Sequence, residues 1–115
     1  MRRIVVLVVW VVGVGIGAPA VADTITGEVV DLSCYLAHPH TSTGSSHRKC
    51  AETCAKKGLP MGVLTEDGSV YLLLEDHGNP KAYKAAIGKA AEDVTVEGTK
   101  VSEGGLPGIV VESVE

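Results

Sequence analysis

The residue types best suited to chemistry fall in one stretch, residues 32–60, with the sequence LSCYLAHPHTSTGSSHRKCAETCAKKGLP. It contains all three cysteines and three of the four histidines of the chain: Cys34, Cys50, Cys54, His38, His40 and His47. Thiolate and imidazole groups are preferred ligands of Zn²⁺ and Cu⁺. Cysteines in an oxidising compartment also form disulfides. Any chemistry performed by this chain is therefore expected in this stretch.

The second part of the stretch is predicted to be a helix from His47 to Lys57. Ser46 is a suitable N-cap, because its hydroxyl can accept a hydrogen bond from a free amide of the first turn. Gly58 suits the position just after the helix, and Pro60 prevents its continuation. The helix therefore has a sequence signal at each end.

This helix aligns three candidate ligands. His47, Cys50 and Cys54 are spaced i, i+3, i+7 and share one helix face. Cys34, at the end of the preceding strand, is expected to meet that face, and His38 is an alternative nitrogen donor. The spacing predicts a metal site for one Zn²⁺ or Cu⁺ ion, formed by Cys34, Cys50, Cys54 and His47.

Two other interpretations use the same cysteines. A disulfide from Cys34 to Cys50 or Cys54 would close a loop of roughly 15–20 residues and stabilise the fold by about 3 kcal/mol. The third cysteine would then be an ordinary buried apolar residue. A thiol-redox role is the other interpretation, although the two helical cysteines are expected inside the helix rather than at its start. The spacing does not separate these possibilities.

The N-terminal residues predict export. Arg2 and Arg3 precede an uncharged apolar run, residues 4–16, and Ala20-Val21-Ala22 forms a small-x-small cleavage signature. The run is too short to span a membrane, and no cysteine for lipid attachment follows. We therefore expect a Sec-type signal peptide over residues 1–22, cleaved after Ala22, and a periplasmic or secreted protein without a membrane anchor.

The composition of the remaining chain disfavours several classes of function. Removing Arg2 and Arg3 from 10 basic residues leaves 8 against 14 acidic ones, a formal charge of −6. The chain has no Phe, and Trp10 lies in the signal peptide. An acidic domain with few aromatic side chains is poorly suited to nucleic acids, which require positive charge and stacking surfaces. The expected partner is an unidentified protein or small ligand.

No arrangement typical of an enzyme is found in the sequence. It contains no Ser-His-Asp order, phosphate-binding glycine loop or haem-attachment motif. His40 and His77 lie in predicted loops and are expected to be solvated. The acidic residues near strand ends and turns, Asp31 among them, form no recognisable dyad or calcium loop. We therefore expect a binding module rather than an enzyme.

The rest of the chain predicts a mainly β domain over residues 23–115. The predicted strands are Thr24–Leu32, Met61–Leu64, Val70–Glu75, Val94–Thr99 and Leu106–Val114. A second helix, starting at Asn79 and Pro80, separates the third and fourth strands. Five strands, with this helix and an extra helix between the first two, have the element order of an OB-fold-like barrel.

The same residues resemble a family. Residues 24–115 resemble the small exported single-OB-fold proteins of bacteria. The final segment, VTVEGTKVSEGGLPGIVVESVE, is similar to the closing hairpin of the tRNA-anticodon-like OB group. The pairing of DLSCY with CAETCAKKGLP resembles a subset with an elaborated loop between the first two strands. The resemblance implies a barrel that binds ligands near that loop, and it implies no particular reaction.

Overall fold

The computed structural model describes residues 9, 10, 12–15, 17 and 21–115. The predicted signal peptide, residues 1–22, therefore lies largely outside the described residues. Within the described ranges, no helix has both the length and the apolar character needed to cross a membrane.

Five strands form a closed barrel, which confirms the predicted fold class. They are β1 (Asp23–Asp31), β2 (Met61–Thr65), β3 (Val70–Leu74), β4 (Asp93–Glu103) and β5 (Leu106–Val114). The order around the barrel is β1-β2-β3-β5-β4, with β4 returning to β1. Only the β3–β5 pair is parallel, and the others are antiparallel. The architecture is OB-like.

The barrel interior is filled by aliphatic side chains from alternate strand positions. Val29, Val63, Val96 and Val111 are completely buried, together with Ile109. Alternating β-branched residues suit strands because one face of the sheet turns toward the core. Tyr71 and Tyr83 pack at the edge of this cluster rather than at its centre.

Two glycines allow the strands to approach closely where the barrel bends. A Cβ on Gly27 would lie 2.1 Å from the carbonyl oxygen of Leu64, and one on Gly98 would lie 1.9 Å from that of Val110. The sequence suggests a bulge or bend at Gly27, but the register shift lies between Glu97 and Gly98. Gly27 instead pairs with both neighbouring strands, β2 and β4.

The connection between β1 and β2 contains two α-helices rather than the single one predicted. A short helix, α1 (Leu32–Ala37), follows β1 directly, and α2 (Arg48–Lys56) is preceded by a 3₁₀ turn at Ser45–His47. Ser46 lies inside that turn, so its predicted role as N-cap is wrong, and His47 occupies the N-cap position of α2. Cys50 consequently lies in the first turn of α2 rather than in its interior.

The end of α2 agrees with the sequence prediction. Gly58 has φ +76°, a conformation that glycine adopts without the steric penalty of a Cβ. Its amide donates to the Ala55 carbonyl, and the Leu59 amide donates to the Cys54 carbonyl. These two bonds form a Schellman motif, which satisfies the last carbonyls of the helix.

The β3–β4 connection contains α3 (Pro80–Ile87), with Asn79 and Pro80 at its start as predicted. The helix packs against β3 and β5. Ala86 is completely buried, and Ala90 and Ala91 are buried in the turn that follows. The sequence places Tyr83, Ala86, Ile87, Ala90 and Ala91 at helical spacing on one apolar face. The three alanines of that face reach the core, although α3 ends before Ala90.

Candidate metal centre

The centre of the candidate site is the carboxylate of Asp31, the last residue of β1. Its side chain is completely buried, and it is also the N-cap of α1. Oδ1 accepts a hydrogen bond of 2.7 Å from the Cys34 amide. The carboxylate thus satisfies a free amide at the start of α1 and fixes the backbone of Cys34.

The second oxygen of Asp31 holds His47. His47 Nε2 lies 2.8 Å from Asp31 Oδ2, and the imidazole side chain is 13 % exposed. A carboxylate can only accept a hydrogen bond, so Nε2 carries the hydrogen and donates it. In the neutral ring, Nδ1 then keeps its lone pair. One buried carboxylate therefore connects the start of α1 to the 3₁₀ turn before α2.

Three ligand types converge at this point. One ligand atom from each of Asp31, Cys34 and His47 lies within 4.8 Å of the other two. Cys54 lies beside this cluster: it lines one cavity with Cys34, and the charge of Asp31 acts on its thiol. Oxygen, nitrogen and sulfur donors thus meet between the end of β1 and the two helices.

The electrostatics of the cluster follow from the buried carboxylate. Burial alone would raise the pKa of Asp31, but hydrogen bonds from the Cys34 amide and from His47 outweigh it and lower the pKa below 3.8. The hydrogen bond to Asp31, together with burial and the carboxylate charge, raises the pKa of Cys34 to about 11. Burial and the charge of Asp31 also raise the pKa of Cys54.

These shifts bear on the thiol-redox interpretation. A thiol that exchanges with disulfides reacts as the thiolate, which a lowered pKa favours. The pKa values of Cys34 and Cys54 are instead raised, the first mainly by its hydrogen bond to Asp31 and the second mainly by burial, with the charge of Asp31 adding to both. In the metal-free protein these two thiols therefore stay protonated at neutral pH and are poor nucleophiles.

A second carboxylate positions the loop that leads to His47. Both side-chain oxygens of Glu28, on β1, accept hydrogen bonds from the Gly44 amide, at 3.0 and 2.9 Å. Gly44 has φ +76°, which turns the chain into the 3₁₀ turn that ends at His47. Glu28 therefore sets the point from which the imidazole reaches Asp31.

The four predicted ligands do not all lie in the cluster. Cys34 and His47 lie in the cluster, and Cys54 lies beside it. Cys50 is exposed and lies at the opening of a cavity of about 300 Å³ that it shares with the other two cysteines. All three cysteines lie in the described part of the chain and carry free thiols. A ligand role for Cys50 stays a prediction.

The remaining histidines lie outside this cluster. His38 is exposed, and its amide caps α1 by donating to the Cys34 carbonyl. His40 and His77 are exposed, as expected from their positions in loops. Of the four histidines, His47 is thus the one placed beside the buried carboxylate.

Asp31 was not predicted from sequence to belong to the site. In the sequence, Asp31 is only one of several acidic residues near predicted strand ends. The available signal is its position three residues before Cys34, directly after a strand, where an N-cap carboxylate meets the amide of the third helical residue. The six-residue helix that reveals this role is too short to predict from periodicity.

Comparisons with known proteins add no relative: no family model, no curated protein and no solved structure matches this chain. The resemblance to exported single-OB-fold proteins therefore stays a prediction. The case for a function rests on the geometry of the cluster.

Proposed function

We propose that this protein is a small metal-binding protein that holds one Zn²⁺ or Cu⁺ ion through Cys34, Cys54 and His47, with Asp31 as a further ligand or as the partner of His47. The observation that carries the proposal is the convergence of Asp31, Cys34 and His47 within 4.8 Å, around a fully buried carboxylate. These donor types match the ligand sets of zinc, and the sulfur donors also match copper(I).

Metal binding would replace the thiol protons of Cys34 and Cys54 with the ion. The Cys34 and Cys54 thiols must each release a proton to bind an ion as thiolates. The negative charge left on sulfur is then neutralised by the cation rather than facing Asp31 alone. A carboxylate that holds an imidazole is also a common arrangement around protein-bound zinc, where it orients the ring toward the ion.

The direct test is metal analysis of purified protein, followed by titration of metal-free protein with Zn²⁺ and Cu⁺. We expect one ion per chain, with the affinity lowered about 100-fold or more in Cys34→Ser, Cys54→Ser and His47→Gln. His38→Gln is the matched control, because this histidine is exposed and lies outside the cluster, and it should bind normally. A folded wild-type protein without micromolar affinity for either ion would refute the proposal.

A disulfide-stapled interaction module is the second candidate. The proximity of the Cys34 and Cys54 thiols supports it, since the two line one cavity and each affects the pKa of the other. Such a bridge would leave Cys50 free and exposed, not buried as expected from sequence. Thiol counting in denatured protein separates the candidates: one free thiol indicates the disulfide, and three are expected for the metal site.

The cellular setting is part of the same proposal. The sequence signals in residues 1–22 support export to the periplasm or beyond. Cell fractionation combined with N-terminal sequencing of the mature protein tests this directly. A mature chain beginning at Asp23 in the periplasmic or secreted fraction is the expected result.

A further inference from the structure

The three cysteines surround one open cavity and differ in their exposure to solvent. They line one open cavity of about 300 Å³ with Lys49 and Thr53. Cys50 is exposed, whereas Cys34 and Cys54 are partly buried, and Asp31 of the inner cluster is completely buried. An ion that approaches Cys34 and Cys54 through this cavity would meet the most exposed thiol, that of Cys50, first.

From this arrangement we infer that Cys50 is a transient ligand, which exchanges the metal ion between the inner cluster and a cysteine-containing partner. The inference rests on the proposed metal site and adds a role for the cysteine that lies outside the inner cluster. Cys50 and Cys54 are one helical turn apart, a separation at which side chains are neighbours. An ion held by Cys54 can therefore be reached by Cys50 without movement of the backbone.

The charge at the opening favours a partner that supplies thiolates. Lys49 is exposed beside Cys50 in the cavity wall. The positive charge of Lys57 also interacts electrostatically with the Cys54 thiol. Positive charge at an opening repels a free cation and attracts an ion already bound by thiolates, whose complex is neutral or negative. The expected partner is thus a protein or small molecule that presents its ion on sulfur.

The exchange needs no redox step. During release, the Cys50 thiol gives its proton to solvent as its bond to the ion forms and a bond from an inner sulfur to the ion breaks. Two thiolates of the acceptor, which have lost their protons to solvent, then bind the ion as its remaining bonds to the inner ligands and its bond to Cys50 break. Cys34, Cys50 and Cys54 each take up a proton from solvent. The ion keeps its charge throughout.

The test compares affinity with exchange rate in Cys50→Ser. Full-length mature protein is loaded with Zn²⁺ in one series and, under reducing anaerobic conditions, with Cu⁺ in another. Transfer to a small dithiol acceptor is followed by stopped-flow spectroscopy, and Kd is measured by competition. We expect the transfer rate to fall about tenfold or more, equivalent to roughly 1.4 kcal/mol in the barrier, with Kd changed less than about threefold.

Two variants sharpen this test. Thr53→Ala changes another exposed residue of the same opening and should leave both rate and Kd unchanged. Cys50→Met keeps a soft sulfur donor, so it should restore much of the rate for Cu⁺ but not for Zn²⁺. Circular dichroism and thermal unfolding verify that each variant is folded.

The outcomes separate this inference from the proposed function. An unchanged transfer rate in Cys50→Ser overturns the role of Cys50 while leaving the metal site intact. A loss of affinity beyond threefold also overturns it, because Cys50 would then be a permanent ligand. Failure of the wild-type protein to bind either ion refutes the metal site itself.

Discussion

The two long connections of the barrel are anchored by different physical means. The β1–β2 connection, residues 32–60, contains α1 and α2. Within these two helices, as the structure describes them, Ala51 is the one buried residue. It is held to β1 by the carboxylates of Asp31 and Glu28. The β3–β4 connection, residues 75–92, is instead anchored by buried alanines of α3 and of the turn after it.

The difference explains why the first connection gathers donor groups around a buried carboxylate, whereas the buried part of the second contributes none. Alanines packed into a core leave no donor atoms available, and their position is insensitive to protonation. A carboxylate that bonds two segments keeps polar atoms together in a partly open place. The chemistry of this protein is thus expected where the connection is held by hydrogen bonds.

The largest effect is expected from removing the central anchor. Asp31→Ala deletes a buried carboxylate and leaves the Cys34 amide and His47 without their partner, so metal-free protein should lose about 3 kcal/mol of stability. Asp76→Ala in the other connection is the matched control. Asp76 accepts one hydrogen bond, from the Gly78 amide in an exposed turn, so its loss should be below about 1 kcal/mol. Equal losses in urea denaturation would contradict the comparison.

Overpacking the other connection should give the next largest effect. Ala86→Leu places three extra carbons where the alanine is completely buried, which should destabilise the protein by about 2 kcal/mol. The neighbouring Ala85 is exposed, so Ala85→Leu should be nearly neutral. Metal affinity of the folded Ala86→Leu protein should stay at the wild-type value. A parallel loss of affinity would mean that the two connections are coupled.

A smaller effect is expected from the second carboxylate. Glu28→Gln replaces a charged acceptor of the Gly44 amide by a neutral one, and we expect a loss of about 1 kcal/mol. Faster hydrogen exchange of the Gly44 amide would report the local release of the loop. Glu66→Gln is the matched control, because it makes the same substitution in the exposed β2–β3 turn. It should change neither the unfolding free energy nor the hydrogen exchange of the Gly44 amide.

The smallest change expected is a pH dependence confined to the polar connection. The pKa of Asp31 is lowered in the folded protein, so the stability due to its charge is present above pH 3.8 and is lost as the pH falls through the folded pKa. The difference in unfolding free energy between wild type and Asp31→Asn should thus shrink below pH 3.8. A constant difference from pH 7 to pH 3 would show that the charge does not contribute.

The sequence predicts the barrel better than the site. Alternating β-branched residues, the Gly58 stop of α2 and the Asn79-Pro80 start of α3 are local signals, and the structure agrees with each. The role of Asp31 in the site cannot be read from local sequence, because it depends on contacts between segments. Its burial and its hydrogen bond to His47 form only when α1 and the 3₁₀ turn pack against β1. Ser46 is an example of a local signal that predicts wrongly. It is a suitable N-cap by residue type, but the hydrogen bonds from Gly44 to Glu28 place it inside the 3₁₀ turn, and His47 takes the N-cap position.

The short reach of both carboxylates has a consequence for the order of assembly. Asp31 and Glu28 each contact a residue only 16 positions along the chain, whereas Thr26 and Thr95, paired across the barrel seam, are 69 positions apart. Short loops close at a lower entropic cost and more quickly than long ones. All proposed ligands, from Asp31 to Cys54, precede β2 in the chain and therefore enter the predicted compartment of folding before it. The candidate ion site is thus able to gather its side chains before the barrel closes.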